Sequence, residues 1–93
     1  MGDKNVLWFS DNRLLPLLFG EHDKFIARIE ESLNLRISSR GNRISIVGEK
    51  SAVALATTTL RTLYQRLEKN LSVDNAEVDA AIRLASDERS TDK

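Results

Sequence analysis

The residues best equipped for chemistry stand side by side: Glu21, His22 and Asp23 follow Gly20, and His22 is the one histidine of the chain. An imidazole between carboxylates is raw material for acid–base catalysis or a metal site. Three consecutive residues cannot converge on one atom, however, and no second histidine and no cysteine exists to complete a ligand set. That composition excludes a thiolate or multi-histidine metal centre, a cysteine nucleophile and a disulfide framework. The plainer reading is a solvent-facing turn. A second candidate is the stretch from Gly41 to Gly48-Glu49-Lys50-Ser51. A phosphate loop needs Gly-x-x-x-x-Gly-Lys-Ser/Thr so that successive backbone N–H groups and the lysine meet on the phosphates. Here the glycines are wrongly spaced and Glu49 intervenes, so Gly48 ends a strand and Lys50-Ser51 opens a helix. No catalytic, metal or cofactor residues are expected.

Charge carries the remaining signal. The chain is neutral overall, which removes the argument from global basicity for nucleic acid. Residues 24–43 nevertheless hold Lys24, Arg28, Arg36, Arg40 and Arg43 against Glu30 and Glu31, while residues 68–93 carry seven carboxylates against four cations. The two segments have net charges of +3 and −3. Ordinary solvated faces account for most such runs.

The elements that would position these residues follow from periodicity. At 93 residues, with 41% hydrophobic and 30% charged residues, one compact domain is expected. The run Val6-Leu7-Trp8-Phe9 reads as a strand whose aromatics belong to the core. Asp11 or Asn12 can cap a short helix through Leu18, with Pro16 in its first turn and Gly20 as its stop. Asp23 can cap a second helix with Ile26, Ile29 and Leu33 on one face. Alternation then takes over at Leu35, Ile37 and Ser39, and resumes at Ile44 and Ile46 after Gly41-Asn42, which predicts a tight hairpin. Val53, Ala56, Leu60, Leu63, Tyr64 and Leu67 form the stripe of a long helix over 50–67. Asp74 and Glu77 resemble a capping box that opens a last helix through Ala85. Residues 86–93 lack apolar side chains and read as a frayed tail. The longest apolar run, Leu14 to Phe19, contains Pro16 and is too short to span a bilayer. The N-terminus lacks the apolar core of a signal peptide, so a cytoplasmic protein without membrane contact is expected.

This element order, with Phe19-Gly20-Glu21-His22-Asp23-Lys24-Phe25-Ile26, Leu35-Arg36-Ile37 and Asn42-Arg43-Ile44-Ser45-Ile46-Val47-Gly48, resembles a type I KH domain. Gly20 matches the first glycine of the Gly-x-x-Gly turn, and Asp23 stands where the second would be. Asp11 to Asp23 and Val78 to Arg83 also look like the N-terminal region of PhoH-like proteins, a bacterial family in which a KH-like module precedes a P-loop ATPase domain. The resemblance runs from about residue 5 to residue 85. It implies an α+β fold, with a three-stranded antiparallel sheet, helices on one face and an extra C-terminal helix. Its boundaries would be a disordered segment 1–4, the KH-like domain at 5–69, a linker and additional helix at 70–85, and a polar tail at 86–93.

The resemblance implies no enzymatic activity in this chain, whose residues offer nothing for the ATPase motifs to map onto, although a full-length member would be an ATPase. It implies single-stranded RNA as ligand, with the turn and second helix as one wall of a groove and Leu35 to Arg40 as the other. Its contacts would come from Gly20, Glu21, His22, Asp23, Lys24, Arg28, Arg36, Arg40 and Arg43. Carboxylates at Glu21 and Asp23 oppose phosphate, so affinity should be weak and salt-sensitive. The rival reading is a protein-interaction or regulatory module that has lost RNA and contacts the ATPase domain, or a second copy of the chain, through the last helix.

Overall fold

The computed structural model describes residues 2–90. Its elements are β1 (Asp3–Trp8), α1 (Leu15–Phe19), a 3-10 turn (Glu21–Asp23), α2 (Lys24–Leu33), β2 (Arg36–Arg40), β3 (Arg43–Gly48), α3 (Lys50–Glu68) and α4 (Asn75–Ser90). The three strands form one antiparallel sheet in the order β1-β3-β2. The fold is α+β, as expected, with a topology consistent with a KH-like fold.

The two-residue period of the strands decides what each face does. Leu7, Ile44 and Ile46 are buried beneath the helices, and Asn5 Nδ2 donates to Thr57 Oγ1 of α3 at 2.9 Å. The intervening positions Val6, Ser38 and Ser45 pair across the middle of the opposite face, which no helix covers. The hairpin turns at Gly41-Asn42, where only Gly41 has a positive φ, +62°. That is the φ pattern of a II′ turn, whose twist matches paired strands.

Every residue of the predicted α3 stripe is buried, with Ile29, Leu18 and Val78 completing the core. Thr59 is buried as well, and its hydroxyl donates to the Leu55 carbonyl at 2.7 Å. α4 is integral to this core, because Val78 and Ala81 join the cluster formed by the sheet and the other helices. Asp74 Oδ1 accepts from the Glu77 N–H at 3.0 Å, as a cap should. The reciprocal half of a capping box is replaced, since the Glu77 carboxylate pairs with Arg66 at 3.4 Å.

Four local expectations differ from the structure. Asp3 and Lys4, expected to be disordered, pair with Gly48 and Val47 because β3 is long enough to template them. The polar segment after Ala85 continues α4 to Ser90; it contains no glycine or proline to stop a helix, and lack of apolar residues is not itself a stop. Residues 91–93 of the expected tail lie outside the described residues. Neither Asp11 nor Asn12 caps α1, whose N-cap is Leu14 without a side-chain bond. The Asp11 carboxylate instead accepts from the backbone N–H and the guanidinium of Arg13. Finally, Trp8 belongs to the open face and is 66% exposed, whereas Phe9 is buried and stacks on Tyr64 at 4.3 Å.

Candidate nucleic-acid interface

The turn between α1 and α2 is built around Gly20. Its φ is +80° and its ψ 167°, a region that only glycine occupies without strain. A Cβ there would also lie 2.6 Å from Cδ2 of the buried Phe25 ring. His22 and Asp23 follow with φ of 55° and 58°, both left-handed. The chain thus reverses in three residues and enters α2 abruptly, held by the Asp23 N–H donating to the Gly20 carbonyl at 3.0 Å.

This geometry corrects the expected role of Asp23. It occupies the N-cap position of α2 but its carboxylate makes no capping bond, because the left-handed backbone differs from the extended conformation in which a cap reaches N2 or N3. The first turn of α2 therefore lacks a side-chain cap, while Glu21, His22, Asp23 and Lys24 all face solvent.

Between this turn and β2 lies a groove of about 250 Å³ lined by Phe19, Asp23, Ile26, Ile37, Ser38 and Ser39. Its walls are fixed by a hydrogen bond from the Ile37 N–H to Glu30 Oε2 at 2.8 Å, which fastens α2 to the outer edge of β2. Phe19, Ile26 and Ile37 supply the apolar part of a lining that is otherwise polar, from Asp23, Ser38 and Ser39, so the edge of an unpaired base finds more partners there than its face.

The charged residues predicted to serve this groove separate into three groups. Arg28 is engaged elsewhere: its Nε and Nη2 donate to the two carboxylate oxygens of Asp79 on α4 at 2.7 and 2.8 Å. These hydrogen bonds, more than the ionic attraction, hold the Asp79 carboxyl below its ordinary pKa and raise that of Arg28. Lys24 leans over the Phe25 ring, 5.4 Å from its centroid. It borders a different, largely apolar groove of about 520 Å³ with Leu17, Leu67, Leu71 and Val73. Arg36, Arg40 and Arg43 occupy strand positions on the open sheet face, because the parity that sends Ile37, Ile44 and Ile46 inward sends them outward.

Two residues of that face were missed in the sequence, Lys4 and Trp8. The unbroken apolar run Val6 to Phe9 hid the parity of β1, although Leu7 and Phe9, two apart, were the signal that Trp8 points the other way. Arg43 lies across the sheet from Trp8, its guanidinium carbon 5.9 Å from the ring centroid. Among the described residues, no group of three or more His, Asp or Glu side chains could hold a metal ion, and no helix is long and apolar enough to cross a membrane.

Comparison with known proteins gives one informative relationship. No family model matches the chain, and no solved structure does. A PhoH-like protein of Bacillus subtilis (strain 168) is 32% identical over 68 residues, which cover 73% of this chain and 21% of that protein. The chain thus spans about a fifth of the length of the curated relative it matches. Nearly three quarters of the chain has a counterpart in a PhoH-like protein, and by that similarity it is related to one.

Proposed function

We propose that this chain is a single-stranded RNA-binding module of a PhoH-like protein, taking bases in the groove between the Gly20–Asp23 turn and β2. The observation that carries this reading is the groove itself. It sets Ile26 and Ile37 beside hydroxyls at Ser38 and Ser39, with at one end a helix start that the Asp23 side chain leaves uncapped. The Lys24 N–H is taken by the Glu21 carbonyl, but the positive end of the helix dipole favours a phosphate there, and the exposed carboxylates of Glu21 and Asp23 oppose it. Binding is therefore weak and falls steeply with salt. ATP hydrolysis, in this reading, belongs to the remaining length of a PhoH-like protein, and the location is cytoplasmic.

The test is Asp23→Gly, which removes a negative charge from the phosphate position and relieves a left-handed backbone. Fluorescence anisotropy with labelled short single-stranded RNA at low salt should show tighter binding than the parent. Unchanged or absent binding in a folded variant would overturn the groove as the site.

A second reading rests on the apolar groove beside Leu17 and Leu71, both more than two-fifths exposed. That surface suits a protein segment, such as part of an ATPase domain or a second copy of the chain. It would make the domain a regulatory or assembly module, contacting its partner between α1 and the α3–α4 connection instead of through the outer face of α4.

A further inference from the structure

We infer that the open face of the sheet is a second nucleic-acid surface, on which Trp8 stacks a base and Lys4, Arg36, Arg40 and Arg43 hold the phosphates of a single strand. The proposal takes its ligand class from the reading above but uses none of the groove's residues. Strand register arranges the face in rows. Trp8 lies opposite Arg43, which lies opposite Arg40; four residues along from each, beyond the row of Val6, Ser45 and Ser38, Lys4 lies opposite Val47, which lies opposite Arg36. All six residues of the two outer rows are exposed. With strands about 4.8 Å apart and a rise of about 3.3 Å per residue, the patch measures roughly 10 by 13 Å.

Charge complementarity selects the occupant. No outward strand position on this face is a carboxylate. The ion pairs among the described residues join Arg13 to Asp11, Arg28 to Asp79 and Arg66 to Glu77, so the four cations of the face have no ion-pair partner among the described residues. Asp3, next to Lys4 in β1, falls on the opposite strand parity, and Glu49, beyond the end of β3, accepts from Ser51 Oγ at 2.7 Å. Arg40 directly opposite Arg43 is a repulsive cross-strand pair, which no ion pair among the described residues offsets. Lysine and arginine alone could serve to keep sheets from aggregating, but an indole left 66% exposed defeats that purpose. An aromatic ring set among unpaired cations on an open sheet matches unstacked bases on a phosphate chain, the chemistry of sheet-face recognition of single strands. An acidic peptide would use the cations and leave the indole idle.

Trp8 is the sole tryptophan, so the protein carries its own probe. A short oligouridine titrated into the chain at low salt should quench Trp8 emission saturably, with the same midpoint as anisotropy of the labelled strand. Trp8→Ala should weaken binding about fivefold or more. Arg40→Ser with Arg43→Ser should lower the slope of log K against log salt by about 1.4, at 0.7 per lost phosphate contact. Thermal melts should leave both variants folded, since these side chains are exposed. Binding with unchanged Trp8 emission, and unchanged affinity in both variants, would overturn the sheet face while leaving the groove standing. Equal quenching by polyglutamate would overturn it in favour of an acidic peptide. Emission that changes with protein concentration alone would overturn it in favour of a second copy.

Discussion

Three glycines separate backbone conformation from space, and replacing each by alanine tests the geometry of the turn. Gly41 has φ +62° and nothing within 4 Å of a built Cβ, so Gly41→Ala suffers only the left-handed backbone, about 1–2 kcal/mol. Gly48 has no positive φ, but its Cβ would lie 2.6 Å from Leu35 Cβ and 3.3 Å from Leu35 Cα. Those atoms cannot rotate away, so Gly48→Ala should cost about 1–3 kcal/mol of overpacking. Gly20 combines both faults. Its φ of +80° with an extended ψ costs about 1–3 kcal/mol in any other residue. The 2.6 and 2.8 Å approaches to the Phe25 ring add about 1–3 kcal/mol, because that ring is buried.

Gly20→Ala should therefore lose about 2–6 kcal/mol, against a total near 5–14 kcal/mol for a domain of this size. At roughly 4–8 °C per kcal/mol, Gly20→Ala should melt at least about 8 °C below the parent. The entropy that alanine removes from the unfolded chain is common to all three variants and leaves their ranking unchanged. Urea unfolding followed by far-ultraviolet circular dichroism, with thermal melts alongside, measures the series. If Gly20→Ala proved no less stable than Gly41→Ala, the close packing of Phe25 beneath the turn would be refuted, and the groove wall with it.

Asp79→Asn tests the link between α2 and α4 through pH. Because Arg28 lowers the folded pKa of Asp79, the carboxylate's contribution is fully present above the unfolded value of about 3.9 and is lost as pH falls through the lower folded value. The melting difference between parent and variant should be constant from neutral to weakly acidic pH and close below about pH 4; a difference that widened on acidification would contradict the assignment. Asp74→Ala should destabilise by about 0.5–2 kcal/mol through loss of the α4 cap. Asp23→Gly should instead melt at or above the parent, since no cap is lost and a left-handed backbone is relieved. A large loss of stability in Asp23→Gly would mean that its carboxylate holds the helix after all. Tyr64→Phe removes the acceptor of the Asp11 N–H, 2.9 Å away, and should lower stability by about 1 kcal/mol in urea titrations; a gain would mean that the bond is not made in solution.

The sheet, the hairpin at Gly41 and the long stripe of α3 were legible because period and turn chemistry agree there. Gly20 was legible as a helix stop, and Asp74 as a cap. What stayed hidden depended on distant partners. Nothing near Arg28 in sequence announces Asp79 fifty-one residues later, so an arginine expected on phosphate is committed to α4. Asp23 has the composition of a cap, but its own backbone, like that of His22 before it, is left-handed and carries the carboxylate away from the helix. The alternation of Leu35, Ile37 and Ser39 sends Arg36 and Arg40 to the other side of the strand, yet the groove wall is the edge of β2, and these arginines, with Arg43 of β3, stand on the sheet's open face. Trp8 was obscured by apolar neighbours on both sides, because the two-residue spacing of Leu7 and Phe9 does not stand out in a run without polar residues.

Nuclear magnetic resonance of the isotope-labelled chain, titrated with short single-stranded RNA at low salt, tests the central claim most directly, because each amide and the single indole N–H report separately. The account predicts saturable shifts at Gly20 to Asp23, Ile26 and Ile37 to Ser39, with a concurrent shift of the Trp8 indole, all reversed by added salt. Shifts confined to Leu17, Leu67 and Leu71, or no shifts in a folded sample, would contradict it.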